Sequence, residues 1–451
     1  MTSLVRQPDA RSQSREQLVN LFAEWQQPAY RVDQLQHWLY TTRATSWEQM
    51  TNLSRPLREK LAATFTLALP ELVRKQGSHD TTQKFLWRLF DGQLIESVLI
   101  PASPALYGDV SDRHTLCVST QVGCAYGCQF CASGLAGYKR NLTPDEIIGQ
   151  VLAVERWHSA PSTPVSPAAP AAADLTLPPV EQISNLPVSG VSDSGRGRSS
   201  LDETDPEGNP TSLTRMKSAG LEDPACAEKP ARDKPATAPS RPRLINNLVI
   251  MGMGEPLANY DHLLTALRIL NAPWGGSIGA RKITISTSGL APQIRQLAEE
   301  PLQFRLAISL HGATDIVRSK IMPINRKYPL AELTAACEYH VARKGKMMTL
   351  EYILIAGIND SLDQTAPLAR LARRLHAKVN LIPYNTVEGL PWSRPTEEVC
   401  ERFLQAILNE EISATLRREK GHDIDAACGQ LRLKTEQQLA QASGARLDTS
   451  S

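Results

Sequence analysis

No apolar run in this 451-residue chain approaches the roughly 20 residues needed to cross a bilayer, so no helical membrane span is expected. The opening stretch MTSLVRQPDARSQSREQ lacks the apolar centre of a secretion signal, and a cytoplasmic location is expected. Charge of neither sign is in excess. With 49 Lys/Arg against 47 Asp/Glu the formal charge is +2, so net charge by itself implies no polyanionic partner. Any nucleic-acid surface would be a local patch, for which Lys139–Arg140, Arg326–Lys327, Arg343–Lys344 and Arg417–Arg418 are candidates, although such pairs are commonly ordinary solvated surface. Cysteines number eight, too few and too widely spaced at this length for a secreted disulfide scaffold. In a reducing compartment, clustered thiols mean metal binding or catalysis. A dinucleotide fingerprint is missing as well: Gly252-x-Gly254 has neither the third glycine nor the following helix.

What is present falls into segments. Residues 1–80 read as a small helical domain: SREQLVNLFAEW opens with an N-cap serine and an acidic first turn, and VDQLQHWLYTT and SRPLREKLAATF continue the helical period. Residues 81–116 read as a β extension, because TQKFLWRLFDGQLIESVLIP alternates about an Asp91–Gly92 turn. From Cys117 the pattern becomes strand, loop, helix, repeated about six times across 117–158 and 244–415, short of the eight units of a closed barrel. The fold class expected is therefore α/β, an incomplete (βα)6-type barrel, with 416–451 as a C-terminal segment and tail. Residues 159–243 interrupt the rhythm. They hold 14 of the 31 prolines and no Phe, Trp or Tyr, a composition that buries too little apolar surface to offset its ordering entropy. A disordered insertion is expected there, and lone Cys226 within it reads as inert.

The chemistry concentrates in TLCVSTQVGCAYGCQFCASG. Cys124, Cys128 and Cys131 form C-x3-C-x2-C, three thiolates where a 4Fe–4S cluster has four coordination positions, which leaves one iron open for reaction. A structural zinc site is the competing reading, but it usually closes with a fourth Cys or His at short spacing, and only His158 is at hand. Later strands end in polar residues: MGMGEP with Gly254 and Glu255, TISTSG with Ser286, AISLHG with Ser309, Leu310 and His311, and LIPYN with Asn385. Taken singly, each suits a strand-terminal turn. On one rim of a barrel they would line a single pocket. Cys337 and Cys400 sit in helical stretches without flanking motifs and read as core.

The cysteine spacing, with aromatic Phe130 before the last cysteine, resembles the signature of radical S-adenosylmethionine (SAM) enzymes. The resemblance implies that SAM chelates the open iron through its amino and carboxylate groups, that Gly254 and Glu255 receive the amino group, and that Ser286, Ser309, Leu310, His311 and Asn385 complete the SAM site. RREKGHDIDAACGQL around Cys428, TLCVSTQVGC around Cys117 and IESVLIP around Glu96 are similar to segments of the RlmN/Cfr class of radical SAM RNA methyltransferases. Membership would imply methylation at C2 of an adenosine in 23S rRNA and in tRNA, one 4Fe–4S cluster, two SAM molecules per turnover, an external electron donor and a monomeric enzyme. Methylation at C8, as in Cfr, is the sister activity, and a non-catalytic iron–sulfur RNA-binding protein is the reading from another class. C2 lies between two ring nitrogens and is electron-poor, so it cannot displace an electrophilic methyl directly. A thiolate can take the methyl first. By resemblance Cys428 is that acceptor, Glu96 the base that removes the C2 proton, and Cys117 the thiol that resolves the adduct through a transient disulfide.

Overall fold

The computed structural model describes residues 7–77, 82–101, 113–135, 137–159, 243–345, 347–387, 389–417 and 429–442. The segment read above as an insertion lies outside them apart from its end residues, and so does Cys428.

Helix α1 (Arg15–Glu24) starts on a reciprocal cap: the Gln17 N–H donates to the Ser14 hydroxyl at 3.1 Å, and the Ser14 N–H donates to the Gln17 side chain at 2.8 Å. It packs with α2 (Tyr30–Gln36), and together with α3 (Arg55–Thr64) these helices bury Leu18, Phe22, Leu35, Leu57 and Leu61. A buried Arg11–Asp9 pair ties this region together, since the guanidinium also donates to the Ala68 carbonyl at 2.8 Å.

Strands β1 (Glu71–Gly77), β2 (Gln83–Arg88) and β3 (Leu94–Pro101) follow as an antiparallel meander. The antiparallel addition thus begins at Glu71 rather than at residue 81, because β1 pairs along the length of β2. The turn carrying Asp91 and Gly92 closes with the Leu89 N–H donating to the Gln93 carbonyl at 2.8 Å. Next come β4 (His114–Cys117), β5 (Gln121–Gly123), α4 (Ala132–Leu135), β6 (Tyr138–Asn141) and α5 (Pro144–Ser159). The remainder is β7 (Asn247–Ile250), α6 (Tyr260–Asn271), β8 (Ile283–Thr287), α7 (Ala291–Glu299), β9 (Arg305–Ser309), α8 (Asp315–Ile321), α9 (Leu330–Lys344) and β10 (Thr349–Leu354). It ends with α10 (Thr365–Arg374), β11 (Lys378–Pro383), α11 (Glu397–Asn409), β12 (Ala414–Leu416) and α12 (Gln430–Ala442).

Ten strands form one sheet in the order β1-β2-β3-β4-β7-β8-β9-β10-β11-β12, with β5 and β6 as a separate pair. Every pairing from β4 through β12 is parallel. Six strands therefore alternate with helices, a short seventh is added at β12, and the sheet stays open because its outer strands are β1 and β12. This is the incomplete α/β barrel. Its inner strands β7 and β8 are buried throughout, as a parallel sheet covered on both faces requires. HTLCVSTQV does not run as one strand. The Thr120 and Gln121 N–H groups both donate to the Met253 carbonyl, at 2.9 and 3.2 Å, and the Leu142 N–H donates to the Thr120 carbonyl. These bonds swing the chain out of the sheet after Cys117, into β5. Among the described residues no helix is long and apolar enough to cross a membrane.

Glu155 near the end of α5 rejoins the chain on the two sides of the undescribed stretch. Its carboxylate accepts the Leu244 and Ile245 N–H groups at 2.8 to 3.1 Å and pairs with buried Arg43 at 3.0 Å. One side chain thus holds together α5, the entry to β7 and the N-terminal helical region. Removing one partner of a buried charge pair generally costs about 3–5 kcal/mol. Glu155→Ala is expected to lose stability on that scale in chemical denaturation, and an unchanged midpoint would show that the rejoining does not depend on this carboxylate.

Candidate active site

The C-terminal ends of β7 through β11 surround one cavity of about 210 Å³. Parallel register decides which side chains face it. Glu351 on β10 lies opposite Ser309 on β9, and Ser286 on β8 lies opposite Ala307, two residues before Ser309, so all three share a face. The Ser286 hydroxyl donates to Glu351 Oε2 at 3.0 Å and lies 3.2 Å from the Ser309 hydroxyl, while Glu351 Oε1 is buried and makes no hydrogen bond. Burial pushes the Glu351 carboxyl up to about 7, against the opposing pull of the Ser286 hydrogen bond, Arg417 and Ser309.

The loop after β7 brings in Gly254 and Glu255. Gly254 has φ +97°, and a Cβ there would meet the Gln121 Cβ at 2.4 Å, so only glycine fits beside β5. The Glu255 carboxylate accepts the Leu257 N–H at 3.0 Å and the Ser288 N–H at 2.7 Å. Burial raises its pKa, partly offset by these bonds. His311, at φ +55°, accepts the Ile353 N–H on Nδ1 at 3.1 Å and meets Phe130 edge to face at 4.9 Å. Burial, with Arg318 nearby, pushes its imidazole down to about 3, so the ring is neutral at pH 7.

Cys124, Cys128 and Cys131 line the same cavity, as do Asn385, Tyr126 and Tyr384. Burial pushes the Cys124 thiol up to about 12, and burial with the two neighbouring thiols holds Cys128 well above its ordinary value, with Arg318 opposing. Such thiols stay protonated, and poor nucleophiles, until a metal centre displaces their protons. Among the described residues no three His, Cys, Asp or Glu side chains draw together closely enough for one ion.

Other residues singled out in the sequence lie outside the cavity lining. Leu310 is buried, and its N–H donates to the Glu351 carbonyl at 2.9 Å. Cys117 is buried at the end of β4, between Val98 and Val249 in register. Glu96 is buried on β3, where its carboxylate pairs with Lys84 and accepts two N–H groups from the start of α12. Cys428 lies outside the described residues, but Gly429, which follows it, is placed and buried. Glu351 and Tyr384 were missed by the sequence reading. A carboxylate inside the apolar strand TLEYIL was the available signal for the first, whereas Tyr384, whose buried hydroxyl makes no hydrogen bond, had none.

Comparison with known proteins places this site in context. Residues 11–67 match the ribosomal RNA large subunit methyltransferase N-terminal domain, and residues 242–369 match the radical SAM superfamily. The chain is 46% identical over 431 residues to a probable dual-specificity RNA methyltransferase RlmN 3 of Opitutus terrae, covering 96% of each protein. It is 38% identical to the dual-specificity RNA methyltransferase RlmN of Anaeromyxobacter dehalogenans, over 94% of this chain and 91% of that one. A crystal structure of a radical SAM methyltransferase from Sphaerobacter thermophilus is similar at 36% identity and a TM-score of 0.70, covering 94% of this chain and 98% of that one. With identity of this level sustained over nearly its whole length, the chain belongs to the RlmN family of radical SAM dual-specificity RNA methyltransferases.

Proposed function

We propose that this enzyme methylates C2 of an adenosine in 23S rRNA and in tRNA, using two SAM molecules per turnover, with Cys428 as methyl carrier. The observation that carries the reading is the single cavity that Cys124, Cys128 and Cys131 share with Glu255, Ser286, Ser309, His311 and Asn385. The residues suit a 4Fe–4S cluster with SAM: three thiols for iron, a carboxylate for an ammonium, and the open Glu351 Oε1 and Tyr384 hydroxyl for the hydroxyls of a ribose. When bound there, this pair supplies a 5′-deoxyadenosyl radical after one-electron reduction by an external donor.

The protein's own residues perform the rest. Cys428, as a thiolate, takes a methyl group and carries it to the base. Glu96 removes the C2 proton from the RNA–protein adduct. Cys117 then attacks the Cys428 sulfur, so that a disulfide forms as the sulfur–carbon bond to the RNA breaks; the electron pair of that bond stays with the RNA methylene, which takes up a proton to become the methyl group. The register supports this grouping: Cys117 ends β4 opposite Val98, two residues beyond Glu96 on β3, and Gly429, next to Cys428 in the chain, donates to the Glu96 carboxylate at 2.9 Å. In this reading the enzyme acts as a cytoplasmic monomer.

Two measurements test the assignment. Cys117→Ala is expected to trap an RNA–protein adduct through Cys428, visible by intact mass. Free methylated RNA released at the parental rate would remove Cys117 from the mechanism. In the parent, nucleoside mass spectrometry should find 2-methyladenosine, and 8-methyladenosine would transfer the chain to the sister activity. SAM affinity provides a third check. A ligand hydroxyl bonds the ionised Glu351 better than its acid form, so binding releases a proton and strengthens as pH rises through about 7. Glu351→Gln should flatten that dependence and weaken binding by about tenfold, as read by calorimetry on cluster-reconstituted protein.

A further inference from the structure

We propose that Lys84 is a positioning residue for Glu96, and that the Lys84–Glu96 pair is the dock for the start of α12, which follows Cys428 in the chain. The inference rests on the function proposed above for the role of Glu96 as base, but not for the dock itself. Lys84 on β2 and Glu96 on β3 are diagonal neighbours, since Lys84 lies opposite Val98 and Leu86 opposite Glu96. Their charged groups meet at 2.8 Å with side chains 1% and 3% exposed. An ammonium and a carboxylate so completely removed from water answer each other's charge, and removing either leaves the other buried and uncompensated.

The same carboxylate caps α12. Its Oε2 accepts the Gly429 N–H at 2.9 Å and its Oε1 accepts the Arg432 N–H at 2.7 Å, donors that the first helical turn leaves without intrahelical partners. Gly429 is also held from the other side. At φ +91°, a Cβ on it would come within 2.9 Å of the Ser133 hydroxyl and 3.0 Å of the Ser133 backbone nitrogen, in the helix that follows Cys131. The backbone adjacent to Cys428 is thus pinned between the cysteine loop and Glu96. Among the described residues, Arg432 and Glu436 of α12 also bring charge near the pair and meet each other at 3.3 Å, with Lys139 acting on Glu436. From β4 and α5 the approach is by uncharged groups: the Ser119 hydroxyl donates to the Glu96 carbonyl at 2.7 Å, and Gln150 bonds Ser97 and Ser119.

This arrangement joins two steps. While ionised, Glu96 keeps α12 docked and is ready to accept a proton. Once it has taken the proton from C2 it carries no charge, its bonds to Lys84 and to the α12 N–H groups weaken, and the start of α12 is loosened.

Amide hydrogen exchange on the ligand-free full chain tests the dock, with peptides spanning 429–433 as the readout and β9 as the internal control. Lys84→Met should speed exchange in 429–433 by at least about tenfold while β9 is unchanged. Lys84→Arg should restore protection, and Glu96→Gln, a neutral stand-in for the protonated acid, should speed exchange as Lys84→Met does. Lys84→Gln serves as a milder replacement if the methionine variant does not fold. Unchanged exchange in the uncharged variants overturns the proposal, as does a rise that extends equally to β9, which would make Lys84 a general packing residue. RNA turnover separates the two readings: faster exchange with undiminished methyl transfer supports the dock and removes the base role of Glu96 instead.

Discussion

Parallel strand register governs the chemistry of this protein. Across the ten-stranded sheet from β4 to β12 every neighbouring strand runs the same way, so their C-terminal ends open on one side. A residue that ends one strand is then a few ångströms from the residue that ends the next, whatever their distance along the chain. Ser286, Ser309 and Glu351 form a hydrogen-bonded group on this account alone. The cysteine loop joins them because the chain leaves the sheet immediately after β4, held by the Met253 carbonyl from the neighbouring loop.

Four buried glutamates show how the protein spends its polar groups. Glu155 is answered by Arg43 and two backbone N–H groups, and it closes the fold across the undescribed stretch. Glu96 has the same kind of partners, Lys84 and two N–H groups, at the start of the C-terminal helix. Glu255 has two backbone N–H groups, from Leu257 and Ser288. Glu351 has one hydroxyl on Oε2 and an Oε1 without a hydrogen bond. Completely answered carboxylates hold elements in place, whereas in the function proposed above the open oxygen of Glu351 is the one left to meet a ligand.

Burial also separates the roles of the cysteines. Cys337 and Cys400 are enclosed in helices α9 and α11, where burial pushes their thiols up to about 12 and about 11 and leaves them inert. Cys124 and Cys128 are equally poor thiolates on their own, but they face a cavity where a metal centre can supply the missing charge. The difference lies in what each thiol faces, not in the thiol itself.

Signals local to the chain could be read without a structure. The C-x3-C-x2-C spacing, the turn at Asp91–Gly92, the alternation of strands with helices, and the polar residues at the ends of TIST and RLAIS each occupy a few consecutive positions, and local propensity or coordination chemistry decides them. What the sequence could not disclose depends on partners far along the chain. The swing of β5 out of the sheet needs Met253, the standing of Glu351 needs Ser286 on another strand, and Lys84 acquires meaning only beside Glu96 and beneath the start of α12. Hydrogen bonds and ion pairs reach about 3 Å, and 333 positions separate Glu96 from Gly429, so folding alone could bring these two together.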